Sequence, residues 1–196
     1  MFQIRIHGRG GQGVVTGAEM LSIAAFEQGR HAQAFPSFGS ERTGAPVVAF
    51  CRIAEREIRL REPVMAPDAL IIQDPTLLHQ VDVFQGLGPD GYVLINSRKT
   101  FDALGVGEVA QRYRHDRLLT VPASEIAMKH LGRPLPNAVL LGGLAALAGV
   151  VTLDAVAHAI RDVFSGAVAA HNIAAAEEAF QYVRREAEEL SHAQAD

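Results

Sequence analysis

Between Ile4 and Leu21 the chain reads IRIHGRGGQGVVTGAEML, and this stretch constrains the fold more than any other. Phe2, Ile4 and Ile6 alternate as in a strand, and Val14, Val15, Ala18, Leu21, Ala24 and Ala25 then recur as in a helix. Between them Gly8, Gly10 and Gly13 satisfy G-x-G-x-x-G. A strand that passes through glycines directly into a helix opens a βαβ unit. Glycine permits the tight turn, and the helix N-terminus offers unpaired N–H groups to an anion. A P-loop is excluded, because no Lys-Ser or Lys-Thr pair follows the glycines. A dinucleotide site asks for Asp or Glu at the end of the second strand, about 20 residues on. Ala34, Phe35, Pro36 and Ser37 stand there instead, and Glu41 comes later, in a loop. NAD binding by this chain alone is therefore not expected.

The rest of the chain alternates in the same way. Strand patterns fall at Gln3–His7, Ala32–Phe35, Pro46–Ile53, Glu57–Arg61, Ala69–Gln73, Tyr92–Asn96 and Leu118–Val121. Val47–Ile53 and Glu57–Arg61, joined by three residues, read as an antiparallel hairpin. DALIIQD and GYVLINS have the continuous apolar cores of parallel strands covered on both faces. Helical patterns fall at Gly13–Gln28, Thr76–Gln85, Glu108–Tyr113, Ser124–Leu131, Ala138–Val150, Leu153–Phe164 and His171–Leu190. The order predicts an α/β fold with a mostly parallel sheet and one antiparallel hairpin. In the last helix Ile173, Ala176, Phe180, Val183, Ala187 and Leu190 form one stripe on a charged helix, expected to pack on the chain's own sheet.

Composition narrows the function. The 196 residues suffice for one well-cored domain. A net charge of −4 argues against a nucleic-acid surface. The single cysteine, Cys51, excludes an internal disulfide and any iron–sulfur cluster built by this chain alone, and it fits a reducing, cytoplasmic setting. The eight histidines never fall at metal-ligand spacing, so zinc is not expected. MFQIRIHGRG has no apolar signal core. The uncharged run around Ala138–Val151 is too short and too rich in glycine for a membrane span and reads as a buried helix. With the striped last helix it offers more apolar surface than one small sheet needs, which predicts dependence on partners.

A second polar concentration lies in AFPSFGSERTGAPVV. Pro36, Gly39, Gly44 and Pro46 punctuate an ordered loop, in which Ser37, Ser40, Glu41, Arg42 and Thr43 gather where parallel strands end. Arg42 is suited to grip a phosphate or carboxylate bidentately. Asn96, at a strand C-terminus, is placed for a ligand. Asn137 reads as a helix N-cap, and Asp68 and Asp74 as turn or cap residues.

No complete catalytic constellation is present, as expected of a subunit that supplies part of a shared site. The chain resembles the gamma subunit of the 2-oxoacid:ferredoxin oxidoreductases, the pyruvate/ketoisovalerate type. The resemblance rests on GRGGQGVV, QAFPSFGSERTGAPVV, PDALIIQD, GYVLINS, VPASEIAMKHLGRPLPNAVLLGGL and HNIAAAEEAF, which follow in order over nearly the whole chain; Thr43 and Ala45 depart from the commoner Arg and Gly. It implies a Rossmann-like three-layer domain over 1–190 with a short tail at 191–196. It further implies that thiamine diphosphate, Mg and [4Fe-4S] clusters sit on alpha, beta and ferredoxin-like delta partners, with a flavoprotein added in some complexes. On the same resemblance this chain binds no cofactor by itself and lends loops to the coenzyme A channel. The candidate contacts are Gly8, Gly10, Gly11, Gln12, Gly13, Ser37, Glu41, Arg42, Thr43 and Asn96. A stand-alone nucleotide- or flavin-binding protein and a purely structural interface subunit are the competing readings.

Overall fold

The computed structural model describes residues 1–37 and 43–193, with side chains through Ser191. Among these, six strands form one sheet in the order β2-β3-β1-β4-β5-β6. They are β1 (Phe2–Arg9), β2 (His31–Pro36), β3 (Pro46–Ala54), β4 (Ala69–Ile72), β5 (Tyr92–Asn96) and β6 (Leu118–Val121). From β1 to β6 neighbours run parallel, whereas β3 is antiparallel to both β1 and β2. The helices are α1 (Val14–Glu27), α2 (Gly107–Ala110), α3 (Ala123–Leu131), α4 (Asn137–Ala148), α5 (Leu153–Val163) and α6 (Gly166–Ala193).

Alternation along each strand decides which layer covers which face. Ile4, Ile6, Ala49, Cys51, Ile71 and Leu94 face the five long helices α1, α3, α4, α5 and α6 in one core. On the other face Leu70, Ile72, Val93, Ile95 and Leu118 meet a thinner layer, built by α2, the 3-10 turn Pro75–His79 and the loop carrying Val83 and Leu87. The stripe on α6 is buried as its spacing predicts, with Ala176 and Val183 fully buried and Phe180 and Leu190 against the core, but it packs chiefly on α4 and not on the sheet expected. Helix α4 is enclosed on all sides from Asn137 to Ala145. A side-chain atom on Gly142 would run into the carbonyl of Ala176, so glycine is what lets α4 and α6 approach closely. The apolar face of α4 is thus buried inside the chain, while Ile173, Phe180, Ala187 and Leu190 on α6 are only partly covered.

The expected hairpin does not form. Its first arm is β3, but Glu57–Arg61 pairs with no strand. The segment instead crosses the sheet as a strap. Gln33 on β2 donates to the Leu60 carbonyl (2.9 Å), Arg52 on β3 to that of Glu62 (2.6 Å) and Arg5 on β1 to that of Val64 (3.3 Å). Every second carbonyl is taken by the next strand over, so the segment runs across the strands, and its alternation mimics a strand from sequence alone.

The helix expected at Thr76–Gln85 stops after the 3-10 turn Pro75–His79. Beyond the turn, Arg5 takes the carbonyls of Val83 (3.0 Å) and Gln85 (2.5 Å). α6 begins at Gly166, ahead of the expected His171, and continues to Ala193, into the segment read as a tail. Among the described residues no helix is long and apolar enough to cross a membrane.

Candidate functional site at the glycine loop

The carboxyl ends of β1, β4 and β5 carry Gly10, Gln73 and Asn96, and the site is built there. After Arg9 the chain stays extended for one residue. Gly10 bridges Thr43, donating its N–H to the Ala45 carbonyl (2.9 Å) and accepting from the Gly44 N–H (3.1 Å). The chain then turns through Gly11 (φ 90°) and Gly13 (φ 70°), left-handed conformations that favour glycine, and α1 starts at Val14. Gly8 is required for space: a side chain there would press on Val14 and on the Gln12 amide. The first turn of α1 holds no acidic residue, which leaves its N–H groups available to an anion.

Two loop positions have no room for variation. The Gln12 carboxamide folds back across the turn, its Oε1 accepting from the Arg9 N–H (2.8 Å) and its Nε2 donating to Asp74 (2.8 Å). Gln73 supports it from below by donating to the Gln12 carbonyl (3.2 Å), while the Gln73 Oε1 is buried with no partner among the described residues. Asn137 lies under Gly13, where any side chain would collide with its Nδ2, and donates to the Gly13 carbonyl (3.4 Å). The N-cap expected of Asn137 is absent. It is the first residue of α4, makes no capping bond, and spends its amide on the glycine loop instead.

A pocket of about 200 Å³ opens beside the loop, lined by Gly11, Gly13, Thr16, Arg133, Asn137, Asn172 and the apolar Leu135, Phe164 and Val168. Asn137 and Asn172 are buried, and Arg133 is exposed. Polar carboxamides, one guanidinium and a helix N-terminus beside apolar walls suit an anionic ligand with an apolar portion.

The structure brings Gly8, Gly10, Gly11, Gln12, Gly13 and Thr43 together. Ser37 sits one residue past β2, exposed, with its N–H on the Val48 carbonyl (2.8 Å). Glu41 and Arg42 lie outside the described residues. Asn96 joins the group only through Gln73. Its Nδ2 donates to the Gln73 carbonyl (2.9 Å) and to the Ser124 hydroxyl (2.8 Å), and its Oδ1 accepts from the Ser124 N–H (3.0 Å). This amide fastens β5 to α3. The strand that flanks β1 on the glycine-loop side is antiparallel β3, which sets Val47 and Pro46 beside Gly8 and Arg9. The ribose-binding carboxylate of a dinucleotide fold has no counterpart at that register.

Asp74 caps the 3-10 turn through Thr76, as its position after a strand suggests. Burial alone would raise its carboxyl, but hydrogen bonds from Thr76 and Gln12 and the charge of Arg9 outweigh that and hold it below the usual range. Gln73 and Arg133 were not singled out from sequence, and Asn137 was read there only as an N-cap. The only signal for them is adjacency across strand ends, which appears once the sheet order is known. Among the described residues no group of three His, Cys, Asp or Glu is placed to hold a metal ion.

The sequence profile of the family described as pyruvate ferredoxin/flavodoxin oxidoreductase matches residues 3–182. A Methanosarcina barkeri protein, pyruvate synthase subunit PorC, is 50% identical over 161 residues, which cover 82% of this chain and 85% of that one. The pyruvate/ketoisovalerate oxidoreductases common subunit gamma of Pyrococcus abyssi is 45% identical over 183 residues, covering 92% and 96%. Among solved structures, pyruvate oxidoreductase subunit PORC of Thermotoga maritima is similar at a TM-score of 0.77 and 36% identity, covering 92% of this chain and 95% of that one.

Proposed function

Because the chain belongs to the pyruvate ferredoxin/flavodoxin oxidoreductase family, we propose that it serves as the gamma subunit of a multi-subunit enzyme that oxidatively decarboxylates a 2-oxoacid to an acyl-CoA. In this reading its glycine-loop edge borders the coenzyme A side of a shared site. The observation that carries it is the convergence at one strand end: the free N–H groups of α1, the left-handed Gly11 and Gly13, and the returning Thr43–Gly44 beside a pocket with Arg133 at its edge. Such an edge binds and orients a phosphate without supplying a proton or a nucleophile.

An iron–sulfur cluster has no ligand set in this chain's single cysteine. Cys51 is fully buried, and burial pushes its thiol up to about 12, so it offers no thiolate to iron. In this reading the clusters, with thiamine diphosphate and its Mg, sit on alpha-, beta- and delta-type partners, and this chain contributes position.

The test is kinetic, on the co-purified complex. Arg42→Ala should raise the apparent KM for coenzyme A roughly tenfold to a hundredfold, the range of one charge-assisted hydrogen bond, with the 2-oxoacid KM and assembly unchanged. A purely structural interface role is the second reading. It is favoured by the Gln12 and Asn96 amides, which are both spent inside the chain. Unchanged kinetics for both substrates would decide for it.

A further inference from the structure

Arg9 is the one residue inside the glycine motif with a long charged side chain, and its guanidinium reaches two chain segments beyond its own. Its Nε faces Asp74 Oδ2 at 3.2 Å. One terminal nitrogen donates to the Gly44 carbonyl (3.0 Å), and the other donates to the Thr76 hydroxyl (2.7 Å) and the Gln80 amide oxygen (2.9 Å). Gln12 closes a ring, since it takes the Arg9 backbone N–H and donates to the same oxygen of Asp74. The Arg9 and Asp74 side chains are only 21% and 15% exposed, so water screens them less than a surface pair.

We infer that Arg9 and Asp74 form a positioning pair that sets the spacing between the glycine turn and the returning Thr43–Ala45 segment, and so the width of the coenzyme-facing edge. This rests on the coenzyme A reading above. Backbone pairing continues the β1–β3 ladder past Arg9 and Pro46 and ends in two bonds at Gly10. Arg9 adds a side-chain anchor at Gly44 and refers it to the end of β4 through Asp74. Neither side chain touches a reacting atom; both act through the backbone they hold. A planar guanidinium with five donors can satisfy these four acceptors at once, which an ammonium cannot.

The experiment uses the assembled complex with Arg9→Met, Asp74→Asn and the double variant. Asp74→Asn retains one amide oxygen for Thr76 but turns an NH2 group toward the N–H groups of Arg9 and Gln12, which breaks the ring without removing volume. Each single variant should raise the apparent KM for coenzyme A about tenfold, with kcat at saturating coenzyme within about twofold and the 2-oxoacid KM unmoved. Because the two residues act as one device, the double variant should stay within about threefold of the worse single. Size-exclusion profile and cluster absorbance should match the parent; if Arg9→Met assembles poorly, Asp74→Asn alone carries the test. A coenzyme A KM within twofold of the parent in the variants that assemble overturns the inference, as do effects that multiply in the double variant. If Arg42→Ala raises that KM while Arg9 and Asp74 variants are silent, the coenzyme reading stands and only the positioning pair falls. If all are silent, both fall.

Discussion

The two halves of the sheet are held by different physics. Under β4, β5 and β6 both faces are apolar, and Leu70, Ile72, Val93 and Ile95 have no polar work to do. The outer face of β2, β3 and β1 carries Gln33, Arg52, Arg5 and His7, and among the described residues no helix covers it. There the buried guanidiniums of Arg5 and Arg52 trade water for backbone carbonyls of the strap and the Val83–Gln85 turn. Arg52 also donates to Gln3 (3.0 Å) and Gln33 (3.3 Å) and lies 5.3 Å from the centre of the Phe35 ring. The apolar half tolerates no added volume, whereas the polar half tolerates no lost donor. The glycine loop sits at the seam between them, at the end of β1.

Breaking the apolar half should cost most. Gly142→Val would force α4 away from the Ala176 backbone and lower unfolding free energy by about 3 kcal/mol or more, read from the urea midpoint. Amide exchange should then rise along α4 and α6 and leave the strap unaffected. Arg52→Met breaks the other half. It strips the Glu62 carbonyl and the Gln3 and Gln33 amide oxygens of their donor, at a cost of about 2–3 kcal/mol, with exchange rising first at 60–64.

The polar half should also be the acid-sensitive one. Burial, and then the charge of Arg5, push His7 from its ordinary 6.5 down to about 3, and its Nε2 accepts from Arg5 Nε at 3.1 Å. The unfolded chain takes up a proton below pH 6.5 that the folded chain refuses until about pH 3, so stability falls as pH drops through that window. Between pH 7 and 5 the loss from this group is about 2 kcal/mol. His7→Gln keeps an acceptor for Arg5 and cannot titrate, so its stability should lose that slope; an unchanged slope would rule out His7 as its source.

The smallest effect belongs to the surface clasp between α3 and α6. Hydrogen bonds from Lys129 (2.7 Å) and His130 (2.6 Å) hold the Glu178 carboxyl below its usual range. Its stabilisation is present above the unfolded carboxyl's range and fades as pH falls. With the side chain 36% exposed, solvent screening keeps Glu178→Gln below about 1 kcal/mol at neutral pH.

The difference between the halves also explains what could be read from sequence. The β1–glycine–α1 opening, the continuous apolar strands and the stripe on α6 follow from periodicity, because apolar burial leaves a periodic trace. Guanidinium–carbonyl packing leaves none. Arg5 and Arg52 look like surface residues on a strand, and Glu57–Arg61 looks like a strand because alternation reports an extended chain and not its direction. In the site the glycines were legible because a left-handed turn selects them. Arg9's reach to Gly44 and Asp74, and Asn137's to Gly13, depend on which strand ends and helix starts become neighbours, and Asn137 lies 124 positions from Gly13.

The central claim is that the glycine-loop edge borders coenzyme A in the assembled enzyme, and hydrogen–deuterium exchange on that complex with and without coenzyme A tests it most directly. The account predicts added protection at residues 8–16 and 43–45, with the strap at 57–64 unchanged. Protection that appears only on the strap, or nowhere on this chain, would contradict it.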